Sequence, residues 1–535
     1  MIFKKIFLFC LCLGFPTWGW AWGTGHDDVA RLLGEFLPTK IKEFLTEENF
    51  GLLEKYCHYP DNPNKTLEVT GEIVGEEDEA ILRKWGYTGS DWLHRHRGRA
   101  VTYALLRKAF RERNAKNAAF YLSVLSHSVS DQGAINHTPI LQFTTYSKFD
   151  GVSYGRKNSC ELRLTEALGR KIRPQFQAYS PRLLAETFSE SVFALVLDCY
   201  TQAEIAAEVE TDIAFGTPLQ AEEGMAKIAC VQLKSLLDAA YSAWQFASAE
   251  EEITEEMLAE IGRREETRRR QGKPQTQAVY RGLFDASRNP QNPKTTVGLV
   301  CEPFGSFHVT SLSYVGKMLV AATGRTLRDH GYAIHPVSLW EMERTELPDP
   351  KEMPVLVIFA GSCSISNEIA DTIRRYTESG GKLFYVAGKD PKNLVGMADG
   401  LTPRADGEVP VSTKWGIQNE DVYAAMKITF SPKLARLGTK EYTFRRNPNF
   451  DGFCKPICRY QIREAANIEP LAWLNNGSET FCVSARNAKG VWVPEYLLLP
   501  FLFSDATTLL WNDLRLDSFG ETVLLAMLEE LELGF

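Results

Sequence analysis

A change of hydrophobic period midway along the chain constrains its fold more than any other feature. Over residues 101–110, 118–129, 183–209 and 219–247, apolar side chains recur every three or four positions. That spacing lines one face of a helix. Beyond Thr295, short apolar runs at 296–301, 332–337, 355–360 and 382–387 alternate with helical stretches at 311–329 and 366–378. Strands that alternate with helices predict a parallel sheet covered on both faces. The expected fold class is therefore multidomain, an all-α domain followed by an α/β domain with a mostly parallel sheet.

Local composition suggests where the chain divides. Lys4 and Lys5 precede an apolar run at 6–15 and a small-residue exit at Gly19 and Ala21, the pattern of a secretory signal. With cleavage after Ala21 the mature chain starts at Trp22, and a secreted or periplasmic location is expected. From Glu250 the sequence turns strongly charged, with Glu250, Glu251, Glu252, Glu255 and Glu256 ahead of Arg263, Arg264, Arg268, Arg269 and Arg270. Acids first and bases last suit a helix dipole, so 250–294 reads as a solvated, charged helical linker ending in Pro- and Asn-rich sequence. The expected division is 1–21 signal, 22–249 helical domain, 250–294 linker and 295–535 α/β domain. No later run is apolar enough for a transmembrane segment. A net charge of −8 implies no broad basic surface for gripping nucleic acid. The cysteines left after signal removal are odd in number and widely scattered, which does not make a disulfide framework.

Chemistry concentrates near the start. Six of the nine histidines lie between His26 and His137. In the stretch Tyr121-Leu-Ser-Val-Leu-Ser-His127-Ser-Val-Ser-Asp131-Gln-Gly-Ala-Ile-Asn-His137, His127 and Asp131 are one helical turn apart and share a face. Gly133 lets the helix end, so that the chain can present His137 nearby. Imidazole and carboxylate together suit zinc. His26 lies four residues after Trp22, whose liberated amino group and carbonyl are further donors. Asp61, in Tyr59-Pro-Asp-Asn-Pro63, and His94 or His96, in Asp91-Trp-Leu-His-Arg-His96, complete the candidate cluster. Arg95, Arg97 and Arg99 form a basic segment beside it, and His58 reads as a turn residue flanking Asp61.

With these residues in order, the region 22–250 resembles the zinc-dependent phospholipases C and the related single-strand-specific nucleases. Trp22, His26, Asp61, His94, and the His127-x3-Asp131-x5-His137 signature match that superfamily's ligand pattern. The resemblance implies an all-helical domain holding two or three Zn2+ ions and hydrolysing a phosphoric ester, either phospholipid or nucleic acid. By analogy Asp61, His94, His127 and Asp131 surround one ion, and Trp22, His26 and Asp131 hold another. His137 contributes to a third, and Asp61 also acts as the catalytic base. The chain departs from the pattern after His137. The superfamily's next His, followed four residues later by an acid, is missing, and Cys160, Glu161 and Glu166 are the candidate replacements. Loss of that third site favours the alternative, a metal-stabilised binding module without catalysis whose α/β domain binds a carbohydrate or protein partner. The C-terminal segment resembles the class I glutamine-amidotransferase-like fold. Cys363 follows one of its strands but lacks the tight elbow and downstream His of a nucleophile.

Overall fold

The computed structural model describes residues 24–61, 74–138, 148–149, 152–153, 166–302, 312–344, 346–359, 365–387, 401–409, 427–443, 457–462, 467–475, 477, 479–494, 497–498, 515–516 and 518–531. The expected signal segment, Trp22, Cys160, Glu161 and Cys363 lie outside them, and Glu166 is described only as the first residue of a helix. The chain forms two compact units. One comprises 1–136, 160–202 and 225–262, and the other 137–159, 203–224 and 263–535.

The described elements of the first unit are helical. They are α1 (Thr24–Phe36), α2 (Thr39–Tyr56), α3 (Glu76–Lys84), α4 (His96–Arg111), α5 (Ala115–Ser130), α6 (Glu166–Gln177), most of α7 (Phe188–Phe215) and α8 (Pro218–Gln245), and the start of α9 (Glu255–Gln271). The central element is α5. Asn114 caps its first turn by accepting from the Asn117 backbone N–H, and every residue from Ala118 to Ser130 is buried. A helix apolar on one side only would leave a wet face, whereas over this stretch apolar residues and serines surround the axis, with Phe120, Tyr121 and His127 among them. Its serines satisfy themselves on backbone carbonyls one turn back: Ser126 on Ser123, Ser128 on Leu125 and Ser130 on His127. Ser123 instead reaches Leu53 O at 2.6 Å and ties α5 to α2. The buried carboxylate of Asp78 takes hydrogen bonds from Lys108, Asn117 and Tyr121, joining α3, α4 and α5.

The second unit is built on an eleven-stranded sheet. Strands β3 (Thr296–Cys301), β4 (Ala333–Ser338), β5 (Val355–Phe359), β6 (Lys382–Ala387) and β13 (Gly490–Pro494) run parallel in the order β4-β3-β5-β6-β13. Numbered by chain position among themselves, that is 2-1-3-4-5, a doubly wound order. The first two strands of the chain, β1 (Lys148–Phe149) and β2 (Val152–Ser153), form a separate hairpin. Alternate residues point to opposite faces, and both faces are dry. Val297, Leu299, Val355, Val357, Phe384 and Val386 join one core, and Val300, Leu356, Ile358, Leu383 and Tyr385 the other. The first core receives α10 (Ala278–Phe284), α11 (Leu312–Asp329) and α14 (Ser518–Glu529), and the second α12 (Leu339–Arg344) and α13 (Asn367–Glu378).

The expectation of a mostly parallel sheet holds for this half alone. Strands β7 (Leu401–Val409), β8 (Lys427–Phe430), β9 (Glu441–Thr443), β10 (Ile457–Ile462), β11 (Glu469–Asn475) and β12 (Thr480–Asn487) all pair antiparallel, so the sheet is mixed. The connections 476–479 and 488–489 are too short for the dozen or so residues of a parallel crossover. A second difference concerns the charged segment. Its helix forms with acids in the first turn and Arg268, Arg269 and Arg270 in the last. Yet Arg269 and Arg270 are buried, Arg269 paired with Glu266 and Glu302 and Arg270 with Glu266 and Glu343. Buried guanidinium groups need such carboxylates, and two of these, Glu302 and Glu343, come from positions distant in sequence. No described helix is long and apolar enough to cross a membrane.

Candidate metal centre

Each histidine arrives by a different local route. His26 heads the buried stripe of α1 that continues through Val29, Ala30 and Leu33, so helical spacing turns its imidazole inward. Asp61 ends the turn after α2. His94 closes the 3-10 turn Ser90–His94, and the buried Arg99 of α4 donates to its carbonyl oxygen at 2.6 Å. His127 lies in the last turn of α5, and Asp131 follows it one turn later in the 3-10 turn Asp131–Gly133. Gly98 permits the close packing of the Ser90–His94 turn against α4. A Cβ there would lie 2.6 Å from Leu93 Cα and would also collide with the Trp92 carbonyl oxygen.

The five side chains converge. His94 Nε2 is 3.1 Å from His127 Nε2 and 3.2 Å from Asp61 Oδ1, while His127 Nε2 is 3.3 Å from Asp61 Oδ1. These atoms form a near-equilateral triangle. A tetrahedron built on edges of that length has its centre about 2.0 Å from each corner, which is the zinc–nitrogen and zinc–oxygen bond length. His26 stacks on His127 with ring centroids 3.9 Å apart, and its Nε2 lies 3.8 Å from Asp131 Oδ1. Two ligand groups result, His26/Asp61/His127 and His94/His127/Asp131, each with its ligand atoms within 4.8 Å of one another and both sharing His127.

The polar bookkeeping fits a cation. Asp61 Oδ2 and His127 Nδ1 are buried with no hydrogen-bond partner. Such orphaned groups are costly in a folded interior. His26 Nδ1 instead meets Ser130 Oγ at 2.9 Å, which orients its Nε2. Burial, and then the neighbouring His127, push the His26 pKa well below the ordinary histidine value despite Asp131 and Asp61, which favours the neutral ring that a metal ligand requires. Burial pushes the Asp61 carboxyl up, but charge interactions and hydrogen bonds from His127 and His94 outweigh it and hold the group well below the usual carboxylate range. The type and spacing of these side chains are those of groups that could hold a metal ion.

Two other expected residues, His96 and His137, join none of the ligand groups found among the described residues. His96 opens α4 with its Nε2 beside Gly262, 3.3 Å from where a Cβ would sit. His137 closes the 3-10 turn Ile135–His137 and belongs to neither ligand group. The basic segment is partly consumed internally, Arg99 on the His94 carbonyl and Arg97 on Glu255. A third group brings together Asp27, Cys57 and His58. The adjacent pair Cys57-His58 is visible in the sequence, but nothing there indicates that Asp27 will meet it. Burial, followed by its hydrogen bond to Asp27, raises the Cys57 pKa well above that of an ordinary thiol. No family model, curated protein or solved structure matches this chain.

Proposed function

We propose that the helical unit is a zinc-dependent hydrolase of phosphoric esters, of the phospholipase C and single-strand nuclease type, acting outside the cytoplasm. The observation that carries this reading is the triangle of His94 Nε2, His127 Nε2 and Asp61 Oδ1, with edges of 3.1–3.3 Å. Borderline-soft zinc suits two imidazoles and a carboxylate better than magnesium or calcium does. His94, His127 and Asp61 would hold one ion, with Asp131 beside it, and His26 stands next to them as a ligand for another. When bound, the ions supply Lewis-acid charge to the phosphate oxygens and acidify water. Asp61 is ionised at neutral pH, and its Oδ2, which the triangle does not use, is the oxygen that takes a proton from the attacking water. Ser130 fixes the His26 ring, and Arg99 fixes the turn that carries His94.

One observation favours a second reading, a metal-stabilised binding module. The sequence has no histidine between His137 and His308 to complete a third ion's ligand set, and His137 lies outside both ligand groups. A single experiment separates the two: metal analysis of the purified protein beside hydrolysis of bis(p-nitrophenyl) phosphate. The hydrolase reading expects two or more zinc per chain and turnover that a chelator abolishes. Asp61→Asn should then lower turnover at least ~100-fold, the scale of a lost general base. Bound zinc without turnover would establish the binding module instead.

A further inference from the structure

We infer that Asp27, Cys57 and His58 form a second cation site, of thiolate–imidazole–carboxylate type, beside the histidine–aspartate centre. The inference does not depend on the hydrolase reading. Asp27 follows His26 on α1, one position round from the buried stripe, while Cys57 and His58 leave the C-terminal end of α2. Asp27 Oδ1 accepts from Cys57 Sγ at 3.1 Å and lies 2.8 Å from His58 Nε2, so one carboxylate oxygen gathers both potential ligands. All three ligand atoms lie within 4.8 Å of one another. A fourth donor is at hand. Glu54 O, among the last-turn carbonyls that a helix leaves without intrahelical partners, is 3.1 Å from Cys57 Sγ. Sulfur, nitrogen and a carboxylate oxygen at this separation, with Glu54 O beside the sulfur, offer donors of the kind zinc and cobalt(II) accept.

The three side chains differ in exposure. Cys57 is fully buried, whereas the His58 and Asp27 side chains are 19% and 39% exposed, so an ion has a route in from solvent on one side and is held by sulfur on the other. The site lies close to the first centre, with the His58 ring 5.8 Å from that of His26 and 6.2 Å from that of His127. Its ligand chemistry is nevertheless different. Thiolate selects soft and borderline cations, so this site prefers zinc, cobalt or copper(I) and rejects calcium and magnesium. Uptake balances simply: the Cys57 S–H bond breaks, its proton passes to solvent, the sulfur–metal bond forms, and Asp27 Oδ1 exchanges the thiol hydrogen bond for the ion. No electron is transferred.

The test is titration of the metal-free, full-length protein with Co2+ alone. Bound cobalt is counted, and sulfur-to-cobalt charge-transfer absorption is followed in the near ultraviolet. The wild type should show that absorption, and Cys57→Ser should lose it together with about one equivalent of cobalt, keeping the remaining equivalents and its helical circular dichroism. His58→Ala lies on the exposed side, so it carries the assignment if Cys57→Ser does not fold, and it should lose the same equivalent. Absence of sulfur-to-cobalt absorption in the wild type would overturn the inference. So would its persistence, with unchanged stoichiometry, in both folded variants. Sulfur-bound cobalt without phosphodiester turnover would refute the hydrolase and leave this site standing.

Discussion

Replacing Gly98 by Ala offers a sharp test of how the backbone builds the metal centre, because the change touches no ligand. The added methyl would lie 2.6 Å from Leu93 Cα and against the Trp92 carbonyl. That is roughly 1 Å short of ordinary carbon–carbon contact. Both obstacles are backbone, so no side chain can rotate away. The relief available is a displacement of the 3-10 turn Ser90–His94 relative to α4, and His94 sits at the end of that turn. Metal–ligand distances tolerate only about ±0.2 Å, so a turn displaced by about 1 Å takes His94 Nε2 out of the triangle. Overpacking of this kind costs about 1–3 kcal/mol of stability, which leaves the protein folded with a melting temperature several degrees lower. Zinc affinity should fall about 10–100-fold, in the same direction as His94→Ala measured alongside by competition with a chromogenic chelator. A folded Gly98→Ala protein with wild-type zinc affinity would refute the argument that this glycine sets the position of His94.

Two further predictions concern pH. Burial lowers the folded-state pKa of His26, so below about 6.5 the unfolded chain takes up a proton that the native ring refuses. The metal-free protein should lose about 1.4 kcal/mol of stability per pH unit from that group as pH falls below about 6.5, and His26→Asn should flatten the slope in urea titrations. In the second unit, burial pushes the Lys317 ammonium down to about 7, against the pull of Glu210. Unfolded lysine titrates near ~10.4, so the unfolded chain binds the extra proton between about 7 and that value. Stability should therefore rise with pH across this window, and a Lys317→Met protein whose pH–stability curve keeps the same rise would exclude Lys317 as the cause.

Along the chain, hydrophobic period decided the helical first part and the parallel strands β3 to β6, because a helix face or a doubly buried strand is written in consecutive residues. The one-turn spacing of His127 and Asp131 likewise required no tertiary information, since helical geometry alone brings them onto one face. The antiparallel half of the sheet was not legible in this way. Its strands pair with partners such as β7 with β10 and β8 with β11, and that pairing depends on which distant edge is available. The choice between His94 and His96 as neighbour of His127 also came from packing, through Gly98 and Arg99, which settle how the turn lies on α4. The meeting of Asp27 with Cys57 and His58, and of Arg269 and Arg270 with Glu302 and Glu343, depends on how separate elements pack against one another. Charge patterning describes a residue's neighbours in sequence, but desolvation is set by its neighbours in space. That is why a run of arginines expected to face water ends in buried ion pairs.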